Sequence, residues 1–240
     1  MKFKTLFIVA LMAMLWSTDS LSQGCEPVTF DGYTYDVVQI GDQCWFAENL
    51  RSEHYANGDA IPGELSDGEW SSTTNGAMTV FGEGTSTVSN GRDDEVSNLA
   101  DYGRLYNWYA VDDARGLCPS DWHVPTDGEF MTLEMELGMS ESEANGTGFR
   151  GTDQGTQMKS SASDSPSWDG TNTSGFSGLA GGKRDDYGDF GYGGNSGDFW
   201  SASAYGAYAR TRRLNGGGNS VVARGNGKRR YGLSVRCVRD

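Results

Sequence analysis

Residues 170–185 read G-T-N-T-S-G-F-S-G-L-A-G-G-K-R-D, residues 199–203 read F-W-S-A-S and residues 231–240 read Y-G-L-S-V-R-C-V-R-D, so the last third of the chain is rich in glycine and aromatic residues. Glycines between aromatic and β-branched runs are typical of short strands joined by tight turns. Asn215-Gly216-Gly217-Gly218 marks such a turn. We therefore predict four strands around it: Phe199 to Ala202, Ala207 to Leu214, Ser220 to Arg224 and Tyr231 to Arg239.

Two helices are predicted upstream of these strands. Apolar residues recur at helical spacing over residues 102–114. Thr126 and Glu129 form a capping-box pattern, in which each side chain accepts a hydrogen bond from the other residue's backbone amide. This pattern predicts a second helix that starts after Thr126 and ends at Gly138, with a further short turn at residues 140–145.

The N-terminal half contributes more strands and a long irregular segment. Residues 28–50 read V-T-F-D-G-Y-T-Y-D-V-V-Q-I-G-D-Q-C-W-F-A-E-N-L, with turns at residues 31–32 and 41–42, and predict a three-stranded meander. Residues 57–98 lose periodicity, so we predict a long surface loop there. Its expected attachments to the body are Ile61, Trp70, Val80 and Phe81. Strands at both ends with helices between them predict an α+β domain rather than a doubly wound sheet.

The first residues have the layout of a secretory signal peptide. Two lysines precede an apolar run over residues 6–16, and a small polar stretch follows. We predict a signal peptide over residues 1–22 and a single domain over residues 23–240, secreted or held at the cell surface. The apolar run is too short for a transmembrane helix, which needs about 20 residues, so no transmembrane segment is expected. Lipid attachment at Cys25 is the alternative.

The four cysteines are expected to form disulfides. An even number of cysteines in an exported chain favours two bonds, for which three pairings exist. We expect Cys25 to pair with Cys44, which closes a local hairpin, and Cys118 to pair with Cys237, which ties the middle of the chain to its end. Lipid attachment at Cys25 would leave Cys44 unpaired, so the two hypotheses exclude each other.

The charge is large and unevenly distributed. A net charge of −14 argues against a nucleic-acid partner. Residues 210–240 nevertheless contain eight Arg, one Lys and a single acidic residue, whereas residues 26–143 are strongly acidic. We expect the basic strands to pair with acidic side chains elsewhere in the molecule, and a basic binding face is the alternative.

Several motifs along the chain resemble a single family when they are taken together. They are D-G-x-x-Y from Asp31, V-x-I-G-x-Q-x-W from Val38, A-E-N-L from Ala47, Y-G-R-L-Y-N-W-Y-A-V from Tyr102, C-P-S-D-W-H-V-P-T from Cys118 and E-A-N-G-T-G-F-R-G-T from Glu143. With the C-terminal stretches, they resemble the Fibrobacter succinogenes major paralogous domain, a family of exported bacterial domains with no established activity. The resemblance covers about residues 28–240, except residues 61–100.

This family is similar to C-type-lectin-like domains, in which the chain ends meet in a small sheet and a long loop region carries the ligand site. The resemblance therefore implies a lectin-like fold with short antiparallel strands, about two helices and long Gly-rich loops. Calcium-dependent sugar binding is not expected, because the sequence lacks the tripeptides E-P-N, Q-P-D and W-N-D, whose oxygens would share a calcium ion with sugar hydroxyls. A structural calcium ion stays open.

No catalytic or metal-binding pattern stands out. His123 lies between Trp122 and Val124 and is expected to be packed against backbone, and His54 lies at the start of a loop. The nucleophile motif G-x-S-x-G is absent, and no acid pair has calcium-loop spacing. We therefore predict no cofactor, no metal and no enzymatic activity. An enzyme related to the formylglycine-generating enzymes is one alternative, but disulfides would remove the reactive cysteines it needs.

Aromatic residues are the clearer functional signal, because ligands favour flat, rigid side chains beside hydrogen-bonding groups. Tyr187, Tyr192 and Tyr205 each stand next to a glycine and are expected on exposed loops. With Arg212 and Arg213 they are predicted to form a ligand-facing surface. The predicted function is a non-catalytic binding domain whose partner is a polysaccharide or a surface protein. A purely structural envelope component is a further alternative.

Overall fold

The structure is a computed structural model that describes residues 24–84 and 94–239, so the predicted signal peptide lies outside it. Its described residues form a mixture of helices and antiparallel strands, which confirms the α+β class. The helices are α1 (Asp67–Ser72), α2 (Glu95–Tyr102), α3 (Trp108–Val111), α4 (Asp127–Glu136), α5 (Glu141–Ala144) and α6 (Gln154–Met158). The strands are β1 (Val28–Phe30), β2 (Tyr33–Tyr35), β3 (Val37–Ile40), β4 (Gln43–Phe46), β5 (Met78–Val80), β6 (Arg104–Tyr106), β7 (Gly148–Arg150), β8 (Lys183–Arg184), β9 (Phe190–Gly191), β10 (Ser196–Tyr205), β11 (Tyr208–Asn215), β12 (Val222–Lys228) and β13 (Val238–Arg239).

The largest sheet is antiparallel and has the strand order β10-β11-β12-β7. In its register Phe199 lies opposite Arg212, and Arg212 lies opposite Arg224. The predicted glycine turn joins β11 to β12, where Gly217 and Gly218 have φ of 73° and 79°, a conformation that glycine adopts without strain. The strands predicted on both sides of this turn are confirmed, and β10 and β12 extend further than expected.

The two ends of the chain meet in a second sheet of order β13-β4-β3, in which Val238 lies opposite Trp45. Both predicted disulfides are present beside it. Cys25 is bonded to Cys44, and Cys118 is bonded to Cys237. Since Cys44 lies on β4 and Cys237 precedes β13, the two covalent links hold the ends of the chain at this sheet.

Two strand predictions are wrong, one in its pairing and one in its extent. The N-terminal meander is instead two hairpins, because β1 pairs only with β2 while β3 and β4 join β13. The strand predicted over residues 231–239 is reduced to β13. Before it, the chain passes between several elements and makes single bridges, such as those from Leu233 to Tyr106 and from Ser234 to Phe199. A segment that exchanges partners in this way does not form one continuous strand.

The helix predicted over residues 102–114 is largely wrong. Helix α2 ends at Tyr102, β6 follows, and only the single turn α3 is helical. Gly103 causes the break, because it has φ of 69° and a Cβ at this position would lie 2.8 Å from the backbone oxygen of Leu50. The helices predicted from Thr126 and over residues 140–145 are confirmed as α4 and α5, and both have the complete capping box.

The segment over residues 57–98 is more ordered than the predicted loop. Its described part contains α1, β5 and the start of α2. Ser66 and Glu69 form a capping box that starts α1, and this short helix places Trp70 in the interior with no exposed surface. The other expected attachments, Ile61, Val80 and Phe81, are also buried. Residues 85–93 lie outside the described residues.

The core consists of two main hydrophobic clusters. One surrounds Tyr106, Trp108 and Trp200, and the other surrounds Trp45 and Phe130, where α4 packs on the large sheet. No helix among residues 24–84 and 94–239 has the length and apolar character needed to cross a membrane.

Candidate functional site

The three tyrosines that the sequence predicted as exposed are at the surface. Tyr187 is 70% exposed, Tyr192 is 51% exposed and Tyr205 is 50% exposed. Exposed aromatic side chains that lie together mark an interaction surface, whereas single ones need no explanation. Tyr192 lies in the turn between β9 and β10 with a φ of 64°.

Tyr192 lies among cations. The Nζ atom of Lys183 is 5.4 Å from the centre of the Tyr192 ring and 4.6 Å from the centre of the Tyr231 ring. The guanidinium carbon of Arg213 is 5.7 Å from the Tyr192 ring centre. A cation over an aromatic face is attracted by the negative face of the ring, which holds these side chains together.

Tyr187 belongs to the same surface through Lys228. The Nζ atom of Lys228 lies 5.7 Å from the centre of the Tyr187 ring and donates a hydrogen bond of 2.8 Å to Asp186. Burial raises the pKa of Tyr231, and the charges of Lys228 and Arg213 oppose this rise. We call the combined surface the tyrosine strip: Lys183, Tyr187, Tyr192, Arg213, Lys228 and Tyr231.

Tyr205 lies at the edge of the strip. It is the last residue of β10 and faces Tyr208, and Tyr208 in turn lies opposite Lys228 on β12. The Tyr205 ring stacks on Arg210, whose guanidinium carbon is 4.0 Å from the ring centre. The sequence therefore predicted three of the six residues of the strip, Tyr187, Tyr192 and Arg213. It missed Lys183, Lys228 and Tyr231, although Lys183 stands within the quoted glycine-rich stretch.

Arg212 was wrongly predicted to face a ligand. Its side chain is completely buried between the large sheet and α4, where Nε donates to Glu134 at 2.6 Å and Nη1 donates to Asp127 at 2.7 Å. Successive residues of a strand point to opposite faces, so Arg213 lies at the surface when Arg212 lies inside. Burial acts to raise the pKa of Asp127, but hydrogen bonds and charge from Arg224 and Arg212 outweigh it and lower this pKa to about 2.

The basic strands pair with acidic residues from elsewhere in the chain, as the sequence predicted. Arg224 binds Asp127, and Arg213 donates to Asp198 at 2.6 Å. Asp198 is buried, and burial raises its pKa although Arg213 opposes the rise. Two of the three cations of the tyrosine strip, Arg213 and Lys228, are paired with a carboxylate, and the third, Lys183, lies over the Tyr192 and Tyr231 rings.

The histidines form simple surface pairs with carboxylates. His123 Nε2 lies 2.5 Å from Glu129 Oε1, and the backbone of His123 bridges to Val238. His54 Nδ1 lies 2.9 Å from Asp31 Oδ1. In the part of the chain that the structure covers, no group of three or more His, Cys, Asp or Glu residues could hold a metal ion.

The fold and the site define a class: a disulfide-linked α+β domain whose chain ends share a sheet and whose surface displays tyrosines beside ion pairs. The family model described as the Fibrobacter succinogenes major domain matches residues 38–239, and the chain belongs to this family. No curated protein and no solved structure matches the chain.

Proposed function

We propose that this protein is an exported, non-catalytic, C-type-lectin-like domain that binds a neutral polysaccharide across the tyrosine strip. The observation that carries the proposal is the exposure of Tyr187 and Tyr192 beside the ion pairs of Lys228 and Arg213. The flat apolar face of a sugar ring packs on an aromatic ring, while its hydroxyls bond to neighbouring polar groups. Pairing of Arg213 and Lys228 with carboxylates weakens the positive charge of the strip, which favours an uncharged ligand over an acidic one.

The covalent structure supports export. Disulfides persist in oxidising compartments, and all four cysteines of the sequence are used in the two bonds. The bond at Cys25 competes with lipid attachment there. The same pairing removes the reactive cysteines that an enzyme of the formylglycine-generating type would need, which favours a binding function over that alternative.

The lectin-like part of the proposal rests on the sheet that joins the chain ends. Strand β13 pairs with β4, and the glycine-rich loops between β7 and β10 carry Tyr187 and Tyr192. This corresponds to the arrangement that the family resemblance implies, in which a long loop region carries the ligand site.

Binding to a panel of insoluble neutral and acidic polysaccharides tests the function. We expect retention on at least one neutral polysaccharide, in calcium and in chelator alike. The double variant Tyr187→Ala/Tyr192→Ala should bind at least tenfold more weakly, which corresponds to about 1.4 kcal/mol. Val96→Ala is the control, because Val96 is an exposed apolar residue on α2. Unchanged retention of the double variant, or retention on acidic polysaccharides alone, would contradict the proposal.

A further inference from the structure

A cleft of about 440 Å³ lies where the N-terminal hairpins meet the loops that follow α6. It shares none of its lining with the tyrosine strip. The side chains that define it, here called the serine cleft, are Tyr33, Glu48, Arg51, Ser160, Asp164 and Asn172. Its volume is within the range of small-molecule sites, which is about 300 to 1,000 Å³.

Two buried polar atoms of the serine cleft have no hydrogen-bond partner among the described residues. Ser160 is only 1% exposed, and its Oγ bonds to nothing, although its backbone pairs with Gly170 and Gly178. Arg51 Nε is likewise buried and unpaired. A buried polar atom without a partner destabilises the folded protein, because it has lost its hydrogen bonds to water. Such an atom calls for a partner from outside the protein, which is a water molecule in the free protein and can be a ligand in the complex.

The carboxylates of the serine cleft are already fixed in position. Glu48 accepts hydrogen bonds from the Tyr33 hydroxyl at 2.7 Å and from Arg51 at 3.2 Å. Asp164 accepts from the side chain of Asn172 at 3.0 Å and from a backbone amide at 2.6 Å. A site whose groups are held before binding loses less entropy when the ligand arrives.

The chemistry of the lining selects the ligand. The cleft holds four carboxylates, Asp36, Glu48, Asp101 and Asp164, and a single arginine, so an anion is disfavoured. An ammonium group only donates hydrogen bonds and would leave the Nε–H of Arg51 without an acceptor. Hydroxyl groups both donate and accept, and therefore satisfy the carboxylates, Arg51 and Ser160 together.

We propose that the serine cleft binds a single neutral sugar residue through its hydroxyl groups. The serine cleft is separate from the tyrosine strip. The domain would therefore bind a polysaccharide at the tyrosine strip and a single sugar residue in the serine cleft. The two proposals fail independently, because each has variants that leave the other set of residues intact.

The test uses Ser160→Ala in the purified domain, titrated with neutral hexoses and pentoses and followed by NMR. Because Ser160 Oγ has no partner among residues 24–84 and 94–239, its removal should leave the melting temperature unchanged or slightly higher. The Kd for the bound sugar should rise about tenfold. Ser167→Ala is the matched control, since Ser167 is exposed on the same loop. An amino sugar and a sugar acid are included to test the charge preference.

Saturable binding of a neutral sugar that weakens in Ser160→Ala, and persists in Ser167→Ala and in the tyrosine double variant, supports the site. The proposal is overturned if no neutral sugar binds, if Ser160→Ala binds as tightly as the original protein, or if the charged sugars bind more tightly. A clear loss of stability in Ser160→Ala would also overturn it, because the hydroxyl would then be bonded within the protein.

Discussion

At the scale of single residues, Tyr192 combines an exposed ring with an unfavourable backbone conformation. Its φ is 64°, and its carbonyl oxygen accepts hydrogen bonds from the amides of Asn195 at 2.9 Å and Ser196 at 3.0 Å. A side chain in this left-handed region costs roughly 1 to 2 kcal/mol relative to glycine. We expect Tyr192→Gly to raise the free energy of unfolding by up to about 1 kcal/mol while it weakens polysaccharide retention.

Urea denaturation measures this effect, and Tyr192→Ala is the matched control. Alanine also lacks the ring but keeps the Cβ atom, so it should weaken retention equally without the gain in stability. A Tyr192→Gly protein that is less stable than Tyr192→Ala would show that the backbone at this position is unstrained.

Arg236 is a buried cation that joins distant segments. It is fully buried, and it donates to Asn49 Oδ1 at 2.8 Å and to the backbone oxygens of Phe46, Phe176 and Ser177 at 2.8, 2.5 and 2.7 Å. Burial lowers the pKa of Arg236 to about 9. These acceptors would be left unsatisfied by a shorter side chain, and each unsatisfied group costs about 1 to 3 kcal/mol.

We therefore expect Arg236→Lys to lower the free energy of unfolding by about 2 kcal/mol or more, because an ammonium group cannot reproduce the planar fork of a guanidinium. Arg230→Lys is the control, since Arg230 is only partly buried and its side chain donates, among the described residues, a single hydrogen bond of 3.1 Å to the backbone oxygen of Thr73. Equal stability of the two variants in chemical denaturation would show that the buried contacts of Arg236 are replaceable.

At the scale of elements, helix α4 is held on the large sheet by Asp127. The pKa of Asp127 in the folded protein is about 2, below its ordinary value of 3.8. Its contribution to stability is therefore complete above pH 4 and is lost as the pH falls from about 4 toward 2. The difference between these two pKa values corresponds to about 2 kcal/mol in the free energy of unfolding. We expect Asp127→Asn to be less stable at neutral pH and to lose less stability on acidification.

Unfolding free energies measured at pH 7, 4 and 2.5 test this expectation. The control is Asp42→Asn, an exposed residue in the turn between β3 and β4, which should retain the original acid dependence. If Asp127→Asn loses as much unfolding free energy on acidification as the original protein does, other carboxylates cause the acid sensitivity.

The elements that the sequence predicted correctly are those whose signals are local. Helix α4 starts at a capping box formed within four residues, and the turn between β11 and β12 is specified by its own glycines. The break at Gly103 depends on the backbone at Leu50, a contact between residues far apart in the sequence. Propensity within one segment contains no information about such contacts.

The same distinction applies to the candidate sites. Glycines beside Tyr187 and Tyr192 predicted their exposure correctly. Arg212 and Arg213 are adjacent in the sequence, and only the packing of α4 decides which of them is buried. The serine cleft joins Arg51 to Ser160, whose separation in the chain conceals their proximity. A binding site assembled from several segments becomes visible only after the fold is known.

At the scale of the whole molecule, the two disulfides constrain the chain to different extents. Cys118 and Cys237 are separated by 119 residues, whereas Cys25 and Cys44 are separated by 19. In the chain-entropy model the longer loop is worth about 5 kcal/mol and the shorter about 3 kcal/mol, because a cross-link removes more freedom from the unfolded state when it closes a longer loop. We expect Cys118→Ala/Cys237→Ala to destabilise the domain more than Cys25→Ala/Cys44→Ala does.

Urea unfolding of the two double variants, compared with the oxidised protein, measures the difference directly. Both pairs flank the sheet that joins the chain ends, since Cys44 lies on β4 and Cys237 precedes β13. Packing lost from that sheet therefore affects both variants, and the loop length is what distinguishes them. If the Cys25 variant is the less stable of the two, local contacts of the N-terminal hairpins outweigh chain entropy.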